Sequence, residues 1–212
     1  MIKLFIDDVD LYREAGIVLE EFDIGVPEMK INKVSVPGRN GDLDMSKALT
    51  GYTHFYNRTI VLQLGIIGNE YAREAIRTLF FQSLYNKQIK VAFSHLEGYF
   101  LGHATINSHE RTPAKSTIKV TIDCYPLRYI GEEIISRTIL TTSPKTVSVH
   151  NMHMPVPVTI ETTAQANVEY KGKRYSVQRG QHKLGIILEQ GNNMFTVSGS
   201  GTLTIKFRME VL

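Results

Sequence analysis

The chain has 212 residues, 42% of them hydrophobic and 21% charged, the balance of a globular protein of one or two domains at roughly 150 residues each. Its single cysteine, Cys124, excludes an intrachain disulfide and a zinc site built of cysteines. A formal net charge of +3 is too small by itself to argue for nucleic-acid binding. The chain has no tryptophan, the largest platform for stacking sugars, and no apolar run approaches the roughly 20 residues needed to cross a bilayer.

In chain order, Met1-Ile2-Lys3-Leu4-Phe5-Ile6 is followed at once by Asp7 and Asp8. That layout differs from a signal peptide and predicts synthesis in a cytoplasm without secretion by that route. Asp7, Asp8, Asp10 and Glu14 follow a first strand, where acids read as a solvated turn rather than paired catalytic carboxylates. Next comes Val36-Pro37-Gly38-Arg39-Asn40-Gly41-Asp42-Leu43-Asp44. Pro37 fixes φ while Gly38 and Gly41 permit angles other residues resist, so the segment is a shaped loop. Arg39 is available there to pair with Asp42 or Asp44, within the loop or on a neighbouring subunit. The run lacks the first acid and the closing glutamate of a calcium loop. A short turn is expected over Met45 to Leu49.

Ile60, Leu62, Leu64 and Ile66 then alternate with Val61, Gln63 and Gly65, which predicts a half-buried strand. From Glu70 to Asn86 the period becomes helical, with Ala72, Ala75, Ile76, Leu79, Phe80 and Leu84 on one stripe and Asn69 as N-cap. This is the one helix expected, with Leu79 and Phe80 buried against a sheet. Strands are expected at Gln88 to Ser94, Tyr99 to Ser108 and Ser116 to Asp123, with Cys124 as a small buried thiol. A boundary near Arg128 separates a first domain, 1–127, from a second, 128–212. The second is all strand: short runs such as Val147–Val149 and Tyr175–Val177 alternate with turns at Lys171-Gly172-Lys173, Gly191-Asn192-Asn193 and Gly199-Ser200-Gly201. That spacing predicts a sandwich or jelly roll. In the last strand Leu203, Ile205, Phe207, Met209 and Val211 face inward and Thr204, Lys206, Arg208 and Glu210 outward.

No constellation for catalysis emerges. His150 and His153, three apart, point to opposite faces of a strand and cannot share a metal without a bend. Gly199-Ser200-Gly201 precedes a strand, whereas a phosphate cradle needs a helix N-terminus. No serine lies in a nucleophile elbow. The reading is a non-enzyme with no cofactor and no metal. Lys171, Lys173 and Arg174 make a basic hairpin that is a candidate contact for an outside partner.

The segment Val36 to Asp44, followed by Ala48-Leu49-Thr50-Gly51 and Tyr56-Asn57-Arg58-Thr59-Ile60, resembles the distal tail proteins of long, flexible-tailed bacteriophages and prophages. In that family a PGRNG-x-LD turn is followed by a short loop and an NR-x-[IL] strand, then a helix and strands in the order found here. The ending, Gly191 to Gly201 and an alternating strand, is similar to the family's closing hairpin. The resemblance implies a mainly β protein: an N-terminal β-barrel or sandwich-like domain related to tail-tube subunits, with one helix, then a small C-terminal sandwich of jelly-roll or galectin-like type.

The function so implied is that of a structural virion protein. It would form a homohexameric hub at the tail tip, made in the host bacterial cytoplasm, that joins the tail tube to the baseplate or fibres. Its implied partners are the major tail tube protein, the tape-measure protein, a tail-associated fibre, lysin or tip protein and receptor-binding proteins, with no membrane anchor and with DNA only in passage through the ring. Pro37, Gly38, Arg39, Gly41, Asp42, Asp44, Asn57 and Arg58 are the motif and interface candidates. A carbohydrate-binding β-sandwich module is the alternative.

Overall fold

Three alternating runs of the first half, β6 (Arg58–Ile67), β8 (Phe100–Arg111) and β9 (Lys115–Cys124), pair side by side at the centre of one antiparallel sheet. The computed structural model describes residues 2–48 and 50–212. Two compact units are present, one ending at Arg128 and one beginning at Tyr129. Met1, and Leu49 of the expected Met45–Leu49 turn, lie outside the described residues; Ser46–Ala48 form a turn.

The first unit is built on that seven-stranded sheet. Its other strands are β1 (Leu4–Ile6), β2 (Val9–Asp10), β3 (Ile17–Ile24) and β7 (Gln88–Phe93), in the order β2-β1-β7-β8-β9-β6-β3. β3 and β7 are four strands apart, or about 19 Å in a flat sheet. Yet the Phe22 and Phe93 rings lie 5.1 Å apart. The sheet therefore curls until its inner faces meet. Ile60, Leu62, Leu64, Ile66, Ile118, Val120, Ile122 and Phe93 fill the interior, as the alternation requires. Helix α2 (Glu70–Leu84) packs against β6 and β8, and the side chain of Asn69 accepts from the Ala72 N–H as its N-cap.

Two expectations about helices are corrected. A second helix, α1 (Leu11–Ala15), is present: Asp10 accepts from the amides of Tyr12 and Arg13, and Gly16 closes it at φ 64°. Five residues carry no periodic stripe, so only the Asp10 and Gly16 caps mark it in the sequence. Within α2, Phe80 and Leu84 are buried together with Arg73, but Leu79 is exposed. At about 100° per residue the inward stripe runs through Arg73, Ile76, Phe80 and Leu84, and Leu79 lies at its flank.

The second unit is a sandwich of two four-stranded sheets sharing one core. One sheet is ordered β10 (Arg128–Ile139), β19 (Thr202–Val211), β13 (Thr159–Thr162), β16 (Gly180–His182). The other is β11 (Lys145–Asn151), β18 (Gly191–Gly199), β14 (Ala166–Tyr170), β15 (Lys173–Val177). β12 (Val156–Pro157) and β17 (Ile187–Leu188) pair beside them. The chain changes sheets at Gly199-Ser200-Gly201. A Cβ on Gly199 would stand 2.6 Å from the Gln165 carbonyl, so only glycine fits that crossing.

Gly191-Asn192-Asn193 is not a turn: it opens β18, with Asn193 paired to Val149 of β11. The turn-like bonding of Asn193 goes through its side chain, which takes the Glu189 amide at 2.9 Å and the Tyr170 hydroxyl at 2.6 Å. In β19, Leu203, Ile205 and Phe207 are buried as expected, but Met209 and Val211 are only half-buried, and Thr204 and Glu210 of the opposite face are buried.

Candidate assembly surface

Between β3 and β6 the chain leaves the sheet as a long arm. Its root is pinned where the Gly25 amide donates to the Thr59 carbonyl at 2.9 Å. A Cβ on Gly25 would meet that carbonyl oxygen at 2.7 Å. A short antiparallel ladder follows: Lys30 N–H to His54 O and Tyr56 N–H to Glu28 O, both 2.8 Å, around the Met29–Phe55 bridge. Farther out, β4 (Lys33–Val34) pairs with β5 (Leu43–Asp44). The tip turns through Gly38 and Gly41, both in the left-handed region at φ 80° and 76°.

The motif splits in two here. Pro37, Gly38, Arg39, Gly41 and Asp42 are exposed at the tip, and Arg39 makes no ion pair among the described residues. Asp44 accepts from the Ser46 amide at 2.9 Å, and its hydrogen bonds with Ser46 hold its carboxyl below the usual range. Asn57 and Arg58 lie at the start of β6, Asn57 exposed and Arg58 buried. The Asn57 amide donates to Asp123 at 3.0 Å. Buried Arg58 donates from Nε to the Pro126 carbonyl at 2.7 Å and covers the Phe100 ring at 5.0 Å, and burial pulls its guanidinium below its ordinary value.

The arm displays apolar residues at its surface: Val26, Met29, Ile31, Val34, Val36, Met45 and Tyr56 are all exposed, the Tyr56 ring lying under Lys30 at 5.3 Å. An exposed apolar segment without a core of its own is a candidate contact surface. Alternation did not single it out, because its apolar residues are broken up by Pro27, Asn32, Ser35 and Pro37.

The other candidates are accounted for locally. Asp7 pairs with Lys87 at 2.7 Å and takes the Lys90 amide at 2.9 Å; burial would raise its carboxyl, but these partners hold it low. Asp8 pairs with Lys90 at 2.6 Å, and Asp10 caps α1 while pairing with Lys3 at 3.1 Å. His150 bonds Asn192 at 2.8 Å. No group of three metal-ligating side chains occurs among the described residues. Burial pushes the Cys124 thiol up to about 12, which makes it inert.

At the basic hairpin, Lys171 at φ 50° and Gly172 at φ 75° form the two-residue turn between β14 and β15. Lys171 pairs with Glu189, and Arg174 with Glu169 at 2.8 Å. Lys173 is exposed and makes no ion pair among the described residues. The aromatic rings of this unit are all buried or half-buried, with Tyr170 stacked on Phe195 at 4.7 Å.

A cluster that the sequence did not signal lies between α2 and β8. Glu74 is held by Arg77 and by Arg111 at 3.0 Å, Arg73 donates to the Thr112 carbonyl at 2.8 Å, and Phe81 meets His109 edge-on at 6.4 Å. Burial, and then Arg77 and Arg111, hold His109 below its ordinary value.

No protein-family model and no curated protein matches this sequence. The fold does have a counterpart among solved structures. The crystal structure of the Dit protein of phage SPP1, described as a paradigm of the hub adsorption apparatus of phages that infect Gram-positive bacteria, matches with a TM-score of 0.69 at 13% identity. The match covers 100% of both chains. No helix among the described residues is long and apolar enough to cross a membrane.

Proposed function

We propose that this chain is a structural protein of a phage tail tip, acting through assembly rather than chemistry. Six copies close a ring under the tail tube, so that the hub matches the symmetry of the tube above it. The unit ending at Arg128 carries the ring. The unit from Tyr129 faces outward, toward fibre, lysin, tip or receptor-binding proteins. The tape-measure protein and DNA meet the ring only along its channel. The protein is made in the host cytoplasm and resides in the virion.

The observation that carries this reading is the end-to-end likeness to a hub protein, which extends over both units and not over one common sandwich alone. The uncovered apolar arm supports it, because a subunit destined for a ring keeps part of its hydrophobic surface for its neighbour. Electron microscopy and mass measurement of the purified full chain at rising concentration test it. Six-fold rings are expected; a strictly monomeric subunit within intact tails overturns it. Glycan binding by the second unit, with no self-association, would instead favour a carbohydrate-binding module.

A further inference from the structure

Resting on the ring reading above, we infer that the outward face of helix α2 receives the apolar arm of a second copy of this chain, in a head-to-tail contact repeated around the ring. Tyr71 and Leu79 are 88% and 68% exposed. With Ala75 they recur every four residues in a row that runs from Tyr71, opposite Phe80, to Leu79 at the flank of the inward stripe, and uncharged Thr78, Gln82 and Tyr85 extend the same face. A helix packed on one sheet normally shows charged or polar residues to water on that side. α2 carries an uncharged face there instead, with Tyr71, Ala75 and Leu79 all exposed.

The complementary surface is on the same chain. Met29, Ile31, Val34 and Val36 of the arm are exposed. Alternate residues of an extended segment recur about every 6.6 Å, and residues four apart on a helix about every 6 Å. Met29 with Ile31, and Val34 with Val36, are each one such step apart, so either pair matches one step of the Tyr71, Ala75, Leu79 row, and the small Ala75 leaves a gap between the two larger residues. Charge agrees: exposed Glu70 at the start of α2, and Lys33 and Arg39 of the arm, make no ion pairs among the described residues.

In a single chain the arm and this face of α2 are both left exposed, so the arm does not seat on its own helix. The arm is rooted at Thr59 of β6, whereas α2 departs beyond Ile67, eight residues or about 27 Å along the strand. Two different patches that fit each other make a heterologous contact, and such a contact closes into a ring when its rotation permits.

The test uses full-length chains with one added cysteine each, Leu79→Cys and Ile31→Cys, with Val34→Cys as a second arm variant. The two are mixed under ring-forming conditions and treated with a short bismaleimide. Buried Cys124 stays silent as background. Cross-linked dimers are expected only on mixing, and a ladder reaching six is expected from the double variant. Leu79→Glu should cut the ring fraction at least tenfold with an unchanged melting temperature. Rings seen by microscopy without Leu79-to-arm links, links confined to single chains, or a Leu79→Glu protein that still forms rings each overturn the inference while leaving the ring reading standing. No oligomer and no link under any condition overturns both.

Discussion

Arg58 holds its guanidinium inside the first unit, where the Pro126 carbonyl accepts from Nε and the Phe100 ring lies beneath it. Replacing it by Met leaves that carbonyl without its charged donor, and bonds of this kind contribute about 1.5–3 kcal/mol. Arg58→Met should lower the urea midpoint of the first unit accordingly; an unchanged midpoint would mean that water replaces the guanidinium at no cost. His109 sets a pH dependence at the same scale. Its folded pKa lies below its unfolded value, because burial and then Arg77 and Arg111 disfavour the imidazolium. The unfolded chain therefore binds more protons as pH falls through about 6.5, and the stability His109 contributes is present above that pH and lost below it. Denaturation midpoints measured from pH 7.5 to 5 should fall on the acid side. His109→Gln should flatten that slope; an identical slope in the variant would place its origin elsewhere.

Helix α2 gives the test at the scale of one element. Phe80 is 5% exposed and is buried with Leu84 in the core beneath the helix, so Phe80→Ala should cost about 3–5 kcal/mol. Leu79→Ala, on the solvent side, should stay within about 0.5 kcal/mol. Equal losses at the two positions in thermal unfolding would mean that the helix is rotated from the orientation described. The helix itself was legible, since Asn69 and the run from Glu70 carry a clear period. Its inward residues Phe80 and Leu84 were legible too, but the exposure of Leu79 was not, because a residue at the edge of an apolar stripe is covered or left open by the width of the sheet beneath it. In β19 the same limit acts on a strand. Alternation marks Leu203, Ile205 and Phe207 as interior, but toward Val211 the contrast between the faces fades and Glu210 is buried.

For the molecule as a whole, the two units divide the proposed labour. Removing the residues after Val197 deletes β19 and with it Leu203, Ile205 and Phe207 from the second core. That unit should lose cooperative unfolding, while a chain of residues 1–127 keeps its fold and its ability to form rings. A 1–127 chain that is unfolded, or folded but unable to join a tail, would show that the ring needs both units. At the hairpin, Lys171 and Arg174 are already matched by Glu189 and Glu169, which leaves Lys173 as the charge to test. Lys173→Glu should weaken attachment of an outer partner in a pull-down from tails and leave the ring unchanged; a ring that dissociates would put the hairpin in the subunit interface.

Local regularity is what the sequence by itself determined. Strict alternation in β6, β7 and β9 marked the strands and their inner residues, the period from Glu70 marked the helix, and paired glycines marked the turns at the arm tip and before β19. These features follow from the periods of strand and helix and from the angles that only glycine adopts easily, all of which act over a few residues. Long-range choices were left to the tertiary structure: the curl that brings Phe22 onto Phe93, the use of Arg58 as an interior pin, the pairing of Asn193 within a strand, and the exposure of Leu79 and of the apolar arm. Each depends on which surfaces remain uncovered once the sheets have closed, and burial is a property of the whole packed chain rather than of any window along it.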